Sequence, residues 1–203
     1  MPGPVRRAIW VCEPTGPALV LGSAQRDDVV DVAACQRSGV EVVRRRSGGG
    51  AVLVEPASPL WVDVLIPATD PLWEPDVGQA FLWLGEAWAL ALGDLGVATE
   101  VHRGPPIRTG WSDRVCFAGL GPGELTDRAG RKVLGISQRR TRSGARFQCA
   151  IPTTWDPAVL LGLLALSDDE RAAALSDLAD AAVGPAVAPT HLLSAFLARL
   201  PEV

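Results

Sequence analysis

Two stretches of this 203-residue chain hold residue types whose spacing could do chemistry. The first is Arg44-Arg45-Arg46-Ser47-Gly48-Gly49-Gly50-Ala51. Three successive glycines permit positive φ and let a ligand approach the backbone closely. Their N–H groups can form a nest for a phosphate or carboxylate, and a neighbouring guanidinium can grip the same anion bidentately. No GK[ST] closes the stretch and a strand follows it, so it is neither a Walker loop nor a dinucleotide-binding turn. On these residues alone, an anion site and a plain flexible hairpin turn are both open. The second stretch, Gly130-Arg131-Lys132-Val133-Leu134-Gly135-Ile136-Ser137-Gln138-Arg139, sets Lys132 at the head of an apolar strand. The plain alternative for Lys132 is a solvated hairpin residue. Cys116 lies between the two stretches, as either a nucleophile or a small buried apolar residue.

Such loops need strands on either side. Residues 8–12 and 18–21 read as short strands separated by a turn at 14–17. Residues 27–38 read as a helix with Gly39 just past its C-cap. Strands are expected at 40–43, 51–54 and 60–66, the last interrupted by Asp63, which marks one face as less buried. Residues 75–93 read as a helix whose apolar stripe is Val77, Phe81, Leu84, Trp88 and Leu92. A strand at 97–101 precedes a loop, 103–113, long enough to bind or cover a ligand. Residues 124–126 and 132–138 read as a hairpin closed by 127–130, with 145–151 pairing next. Helices follow at 157–164, 168–182 and 191–200, the middle one opened by a Ser167–Glu170 capping box.

This order predicts an α+β fold: one domain spanning 1–203, with a mixed, largely antiparallel sheet packed with helices and a few helices at the end. Gly135 and Ser137 share one strand face, leaving room for a ligand or for close sheet packing. Strict alternation puts Lys132 on the other face, unless it lies at the hairpin mouth or a bulge intervenes.

Hydrophobic residues make up 48% of the chain and charged residues 21%, as in an ordinary globular protein. The net charge of −4 argues against a nucleic-acid partner, while the arginines at 44–46 and 139–142 suit a small anion. Cys12, Cys35, Cys116 and Cys149 form no CxxC, and His102 and His191 lie far apart, so no metal site is expected. No apolar run suggests a signal segment or a membrane span, and a cytoplasmic location is expected.

The run RRRSGGGAV resembles the RRxSGGGAV signature of the lipoate-protein ligase A and biotin-protein ligase superfamily. GRKVLGISQR is similar to that superfamily's G-[RK]-K-[IV]-x-G-[SA]-[AS]-Q-R segment, in the same order along the chain. The resemblance implies the biotin/lipoate-protein-ligase catalytic fold and a lipoyl or octanoyl group as cargo. The acceptor would be the ε-amine of a lysine on a lipoyl carrier domain or a glycine-cleavage H-type protein. Gly48, Gly49 and Gly50, with Ser47 and Ala51 beside them, would wrap the acyl carbonyl and any phosphate, and Arg45 would contact the anion. Lys132 would hold carboxylate or phosphate oxygens and then stabilise the oxyanion. Gly135 and Ser137 would belong to the same substrate site.

The leading reaction implied is ligation through an acyl-adenylate, with lipoate or octanoate as substrate and ATP and Mg²⁺ as cofactors. The alternative comes from the octanoyltransferases that carry a similar Cys-Phe upstream of the lysine. Cys116 would then form a thioester, with an acyl carrier protein as donor and no cofactor. A third reading is a non-catalytic module that binds an acyl group or a carrier. The chain departs from the superfamily pattern at Val54-Glu55 (His-Asp in relatives), at Cys116–Gly119 (Asn-Asp-Leu in ligases) and at Gln148-Cys149 (His-Gly). No accessory domain like that of long ligases is expected in the roughly fifty residues after the last strand.

Overall fold

A computed structural model describes residues 6–201. Among these residues nine strands form two sheets, rather than the one expected, and five α-helices pack against them. The larger sheet has the order β1-β5-β9-β8-β7-β6, from β1 (Ala8–Cys12), β5 (Leu60–Pro67), β9 (Gly144–Ile151), β8 (Lys132–Thr141), β7 (Leu125–Thr126) and β6 (Glu100–Val101). All its neighbours are antiparallel. The smaller sheet has β2 (Ala18–Leu21) between β3 (Glu41–Arg44), which is parallel to it, and β4 (Val52–Val54), which is antiparallel. The 44–51 loop therefore joins the two outer strands of the small sheet.

One face of the large sheet, carrying Val62, Val64, Phe147, Cys149, Leu134 and Ile136, packs on α2 (Leu82–Asp94) and α5 (Pro189–Arg199). There Trp88 stacks on Phe196 at 3.8 Å. The small sheet packs on α1 (Val32–Arg37), α3 (Pro157–Gly162) and α4 (Asp168–Leu178). Phe117, Trp61 and Ala150 pack with Val52 and Val54 between the sheets.

Four helices are shorter than their sequence patterns, α3 by only two residues at its end. The 27–38 stretch breaks after a 3₁₀ turn at Asp27–Val29, because Val30 extends to bridge Leu164. Asp31 then caps α1, its carboxylate accepting from Ala34 N–H. Ahead of α2, the Asp76 carboxylate accepts from Gly78 and Gln79 N–H, so residues 75–78 form a turn and Val77 is exposed. α4 keeps its capping box but stops at Leu178. The following segment pairs with Lys132, through Lys132 N–H to Ala181 O (2.9 Å) and Val183 N–H to Lys132 O (3.0 Å). The shortenings at 27–38 and at the end of α4 are tertiary contacts overriding local propensity, and the one ahead of α2 is a local side-chain turn.

α2 meets the turn leading to β7 through backbone approaches that only glycine permits. A Cβ on Gly85 of α2 would stand 2.1 Å from Gly123 O, in the turn leading to β7. Gly123 itself has φ +76° and lies against Phe81. Alanine favours a helix over glycine by ~1 kcal/mol, but overpacking against rigid backbone costs ~1–3 kcal/mol. Gly85→Ala is therefore expected to lower the urea midpoint despite its better helix propensity. A raised midpoint would show that α2 and this turn are not in contact.

Candidate active site

The register of the large sheet aligns polar residues on the face turned away from the α2–α5 core. Asp63 pairs with Gln148, and Gln148 with Ser137, giving one cross-strand row. Trp61, Ala150 and Gly135 form the adjacent row. Ser137 Oγ lies 3.0 Å from Ser47 Oγ, which donates to Gln148 Oε1 at 2.6 Å. The arginine–glycine loop is thus fastened to the sheet by its serine. Asp63, expected to mark a less buried face, is fully buried. Its charge is met by Arg146, and Trp61 Nε1–H donates to it at 2.9 Å.

A second fastening is backbone to backbone. Ala51 N–H donates to Arg114 O at 2.9 Å, and Cys116 N–H donates to Ala51 O at 3.0 Å. A Cβ on Gly50 would lie 2.5 Å from Val115 C, so the glycine is needed for this approach. Gly22, which the sequence did not single out, plays the same part, with its Cβ position 1.9 Å from Gly49 O.

Arg45 is buried under this loop. Its Nη2 donates to Gly48 O at 2.8 Å and Gly50 O at 2.9 Å, and its Nη1 to Val20 O at 3.3 Å. The same Nη2 stands 3.9 Å from Cys116 Sγ. Turning the loop carbonyls onto Arg45 leaves the N–H groups of Gly48, Gly49 and Gly50 without a hydrogen bond among the described residues. Gly49 adopts φ +99°, and its Cβ position would be 3.5 Å from the Cys116 sulfur. Free donors next to a thiol are the arrangement that can hold a developing oxyanion.

Cys116 opens a 3₁₀ turn, Cys116–Ala118, and is partly exposed. Cys35 and Cys149 are buried, and burial pushes both thiols up, so they stay protonated and inert. Burial, reinforced by nearby Asp63, also raises the Cys12 thiol.

Lys132 lies on the same side as Gly135 because the β7–β8 register shifts there. Leu125 pairs with Leu134 but Thr126 with Lys132, leaving Val133 as an extra residue. Gly135 gives close packing: a Cβ there would be 3.4 Å from Lys132 Cε. The ammonium is 3% exposed as a residue and uses all three donors internally. It pairs with Glu124 Oε2 at 2.6 Å and donates to Gly119 O at 2.9 Å and Cys116 O at 3.2 Å. Glu124 also accepts from Gly121 N–H and Ile136 N–H. Sequence reasoning passed over Glu124 as an ordinary hairpin residue; a carboxylate just before an apolar strand was the available signal. Lys132 and the Phe117 ring also border a cavity of about 510 Å³, lined further by Ile107, Trp111, Leu120 and Leu178.

The chain thus brings together every residue singled out from the two stretches and Cys116. A glycine loop tied to a large antiparallel sheet, facing a lysine on that sheet, defines the class of fold. The lipoyl protein ligase A/B catalytic domain model matches residues 3–196, and the chain belongs to this family. It is 35% identical over 127 residues to octanoyltransferase LipM of Carboxydothermus hydrogenoformans. That match covers 62% of this chain and 45% of the relative, less than half of the relative's length. Among solved structures, it resembles the bipartite lipoate protein ligase of Thermoplasma acidophilum, studied with its E2 lipoyl domain. The TM-score is 0.76 at 16% identity, covering 95% of this chain and 69% of that one. Lipoate-protein ligase A bound with ATP superposes with a TM-score of 0.60 at 16% identity, covering 94% and 81%. Both structural likenesses are of fold.

The buried pair makes a direct prediction. Lys132→Ala leaves a buried carboxylate unpaired and is expected to cost ~3–5 kcal/mol. Adding Glu124→Gln should recover part of this, so the double variant loses less than the two single losses added together. Additive losses in urea denaturation would show that the pair is not coupled.

Proposed function

We propose that this protein is a cysteine-dependent acyltransferase that moves an octanoyl or lipoyl group from a thioester donor to a lysine of a carrier domain. The proposal covers the chain as one catalytic unit over 1–203. The observation that carries it is the position of Cys116, partly exposed beside unsatisfied glycine N–H groups and 3.9 Å from Arg45. The similarity to an octanoyltransferase supports the same choice. Ligation through an acyl-adenylate, the leading expectation from the sequence, has no comparable support. The arginine-lined cleft beside the loop suits phosphates, but no carboxylate lines it to share a magnesium ion.

In the first step Cys116 Sγ attacks the donor's acyl carbon. A bond forms between Sγ and that carbon, the donor's C–S bond breaks, and the thiol proton leaves with the donor sulfur. In the second step the acceptor's neutral lysine amine attacks the Cys116 thioester. The amide forms, the Sγ–C bond breaks, and a proton from the amine restores the thiol. The N–H groups of Gly48–Gly50 hold the oxyanion in both steps. Lys132 acts as a positioning residue, because its ammonium pins the carbonyls of Cys116 and Gly119 at the two ends of the nucleophile's turn. Ser47 and Ser137 hold the glycine loop in register with the sheet. The acyl chain would occupy the cavity beside Phe117 and Leu120.

The test is carrier modification read by mass spectrometry. The protein is incubated with an apo lipoyl carrier domain and either an octanoyl thioester carrier protein or lipoate with ATP and Mg²⁺. Carrier octanoylation from the thioester, reduced on the order of 10³-fold or more in Cys116→Ser, is the expected result. Modification only in the ATP arm would establish the ligase instead. A carrier left unmodified in both arms, with acyl ligand bound, would establish a binding module.

A further inference from the structure

The row of polar side chains across the large sheet has a direction as well as a register. Asp63 starts it, fully buried on β5 and paired with Arg146. As a carboxylate it offers only acceptor atoms, and Trp61 Nε1–H donates to its Oδ1 at 2.9 Å. Gln148 Nε2 donates to the same oxygen at 3.4 Å. The reverse orientation would set the amide carbonyl against the carboxylate, so Asp63 fixes which way Gln148 points. Gln148 Oε1 then faces Ser47 and can only accept, so the Ser47 hydroxyl donates to it at 2.6 Å. With that hydrogen committed, Ser47 Oγ accepts from the Ser137 hydroxyl at 3.0 Å.

This directed chain ends on the side chain that anchors the start of the glycine loop. Gly48, Gly49 and Gly50 have no side chains of their own. The loop is held after Gly50 by the Ala51–Cys116 backbone contact, from beneath by Arg45 and at its start by Ser47. Ser47 is 1% exposed, and its carbonyl accepts from Ser23 N–H at 2.8 Å. Glycines have the widest backbone freedom of any residue, so three in a row keep one conformation only while their anchors hold. Donors stabilise a developing oxyanion only when they are already in place.

We propose that Asp63 and Gln148 are positioning residues of this site, and that through Ser47 they hold the Gly48–Gly50 N–H groups where the oxyanion forms. The proposal rests on the transferase reading above and extends its machinery to a buried charge on β5 that acts at one remove. A misplacement of about 1 Å at such donors lowers turnover on the order of 10²-fold. It leaves ground-state binding of the substrates largely untouched, because the interaction is made in the transition state.

The test replaces Gln148 in two ways and reads octanoyl transfer, with the fold checked by circular dichroism. Gln148→Met keeps the side chain's length but makes no directed hydrogen bond. Its kcat is expected to fall on the order of 10²-fold, with KM within about twofold of the unaltered protein. In Gln148→Glu the introduced carboxyl lies between Asp63 and Ser47, where burial beside a like charge raises its pKa. Protonated, it donates to Asp63 and accepts from Ser47, as the amide does. Ionised, it repels Asp63 and breaks the chain. Its activity relative to the unaltered protein should therefore be near normal at about pH 6 and fall as pH rises toward about 9, while that of Gln148→Met stays low throughout. Nitrogen-15 relaxation of the Gly48–Gly50 amides reads the same device without any transfer: they should be ordered in the unaltered protein and lose order in Gln148→Glu over the same pH range. An undiminished kcat in Gln148→Met would overturn the proposal, as would glycine amides in Gln148→Glu that stay equally ordered at every pH. Glycine amides that loosen as expected, in a protein that transfers no octanoyl group at all, would leave the anchoring chain standing and refute the transferase reading.

Discussion

The site depends on two backbone hydrogen bonds, Ala51 N–H to Arg114 O and Cys116 N–H to Ala51 O. They zip the end of the glycine loop to the start of the Cys116–Ala118 turn, two segments far apart in the chain. The zip closes only because Gly50 has no side chain to strike the Val115 backbone. Everything else at the site is arranged around this contact. Arg45 gathers the loop carbonyls from below, and Lys132 gathers the carbonyls of Cys116 and Gly119 from the sheet side. Two cations thus occupy the carbonyl side of both segments. The glycine N–H groups and the thiol are left as the free chemistry.

Burying these cations is expensive in general, and the two are compensated differently. Lys132 has a buried carboxylate, Glu124, which two backbone N–H groups hold in turn. Arg45 has no carboxylate partner among the described residues and relies on carbonyl dipoles. Its charge therefore remains available to the thiol side and to the neighbouring cleft, whereas that of Lys132 is neutralised locally. This asymmetry is why Lys132 is read as a positioning residue, while Arg45 keeps its charge beside the thiol.

Much of this was legible from residue order. The two motifs marked the loop and the lysine strand, and β1, β2, β9 and the capping box of α4 follow their sequence patterns closely. What escaped were features created by contacts between distant segments. The face of Lys132 depends on the bulge at Val133, which alternation cannot reveal. Glu124 gained its role only when the 119–124 turn folded beneath Lys132. Val30 left its helix to bridge Leu164, and the split into two sheets followed from β2 pairing in parallel with β3. Asp63 looked like a surface marker because its partner, Arg146, lies on β9.

The most direct measurement is the mass of the protein itself after exposure to an octanoyl thioester donor with no acceptor present. A single octanoyl group should accumulate on the peptide containing Cys116, sensitive to hydroxylamine and transferable when a carrier domain is then added. A protein that octanoylates the carrier from the same donor without ever carrying the group on Cys116 would contradict the thioester mechanism.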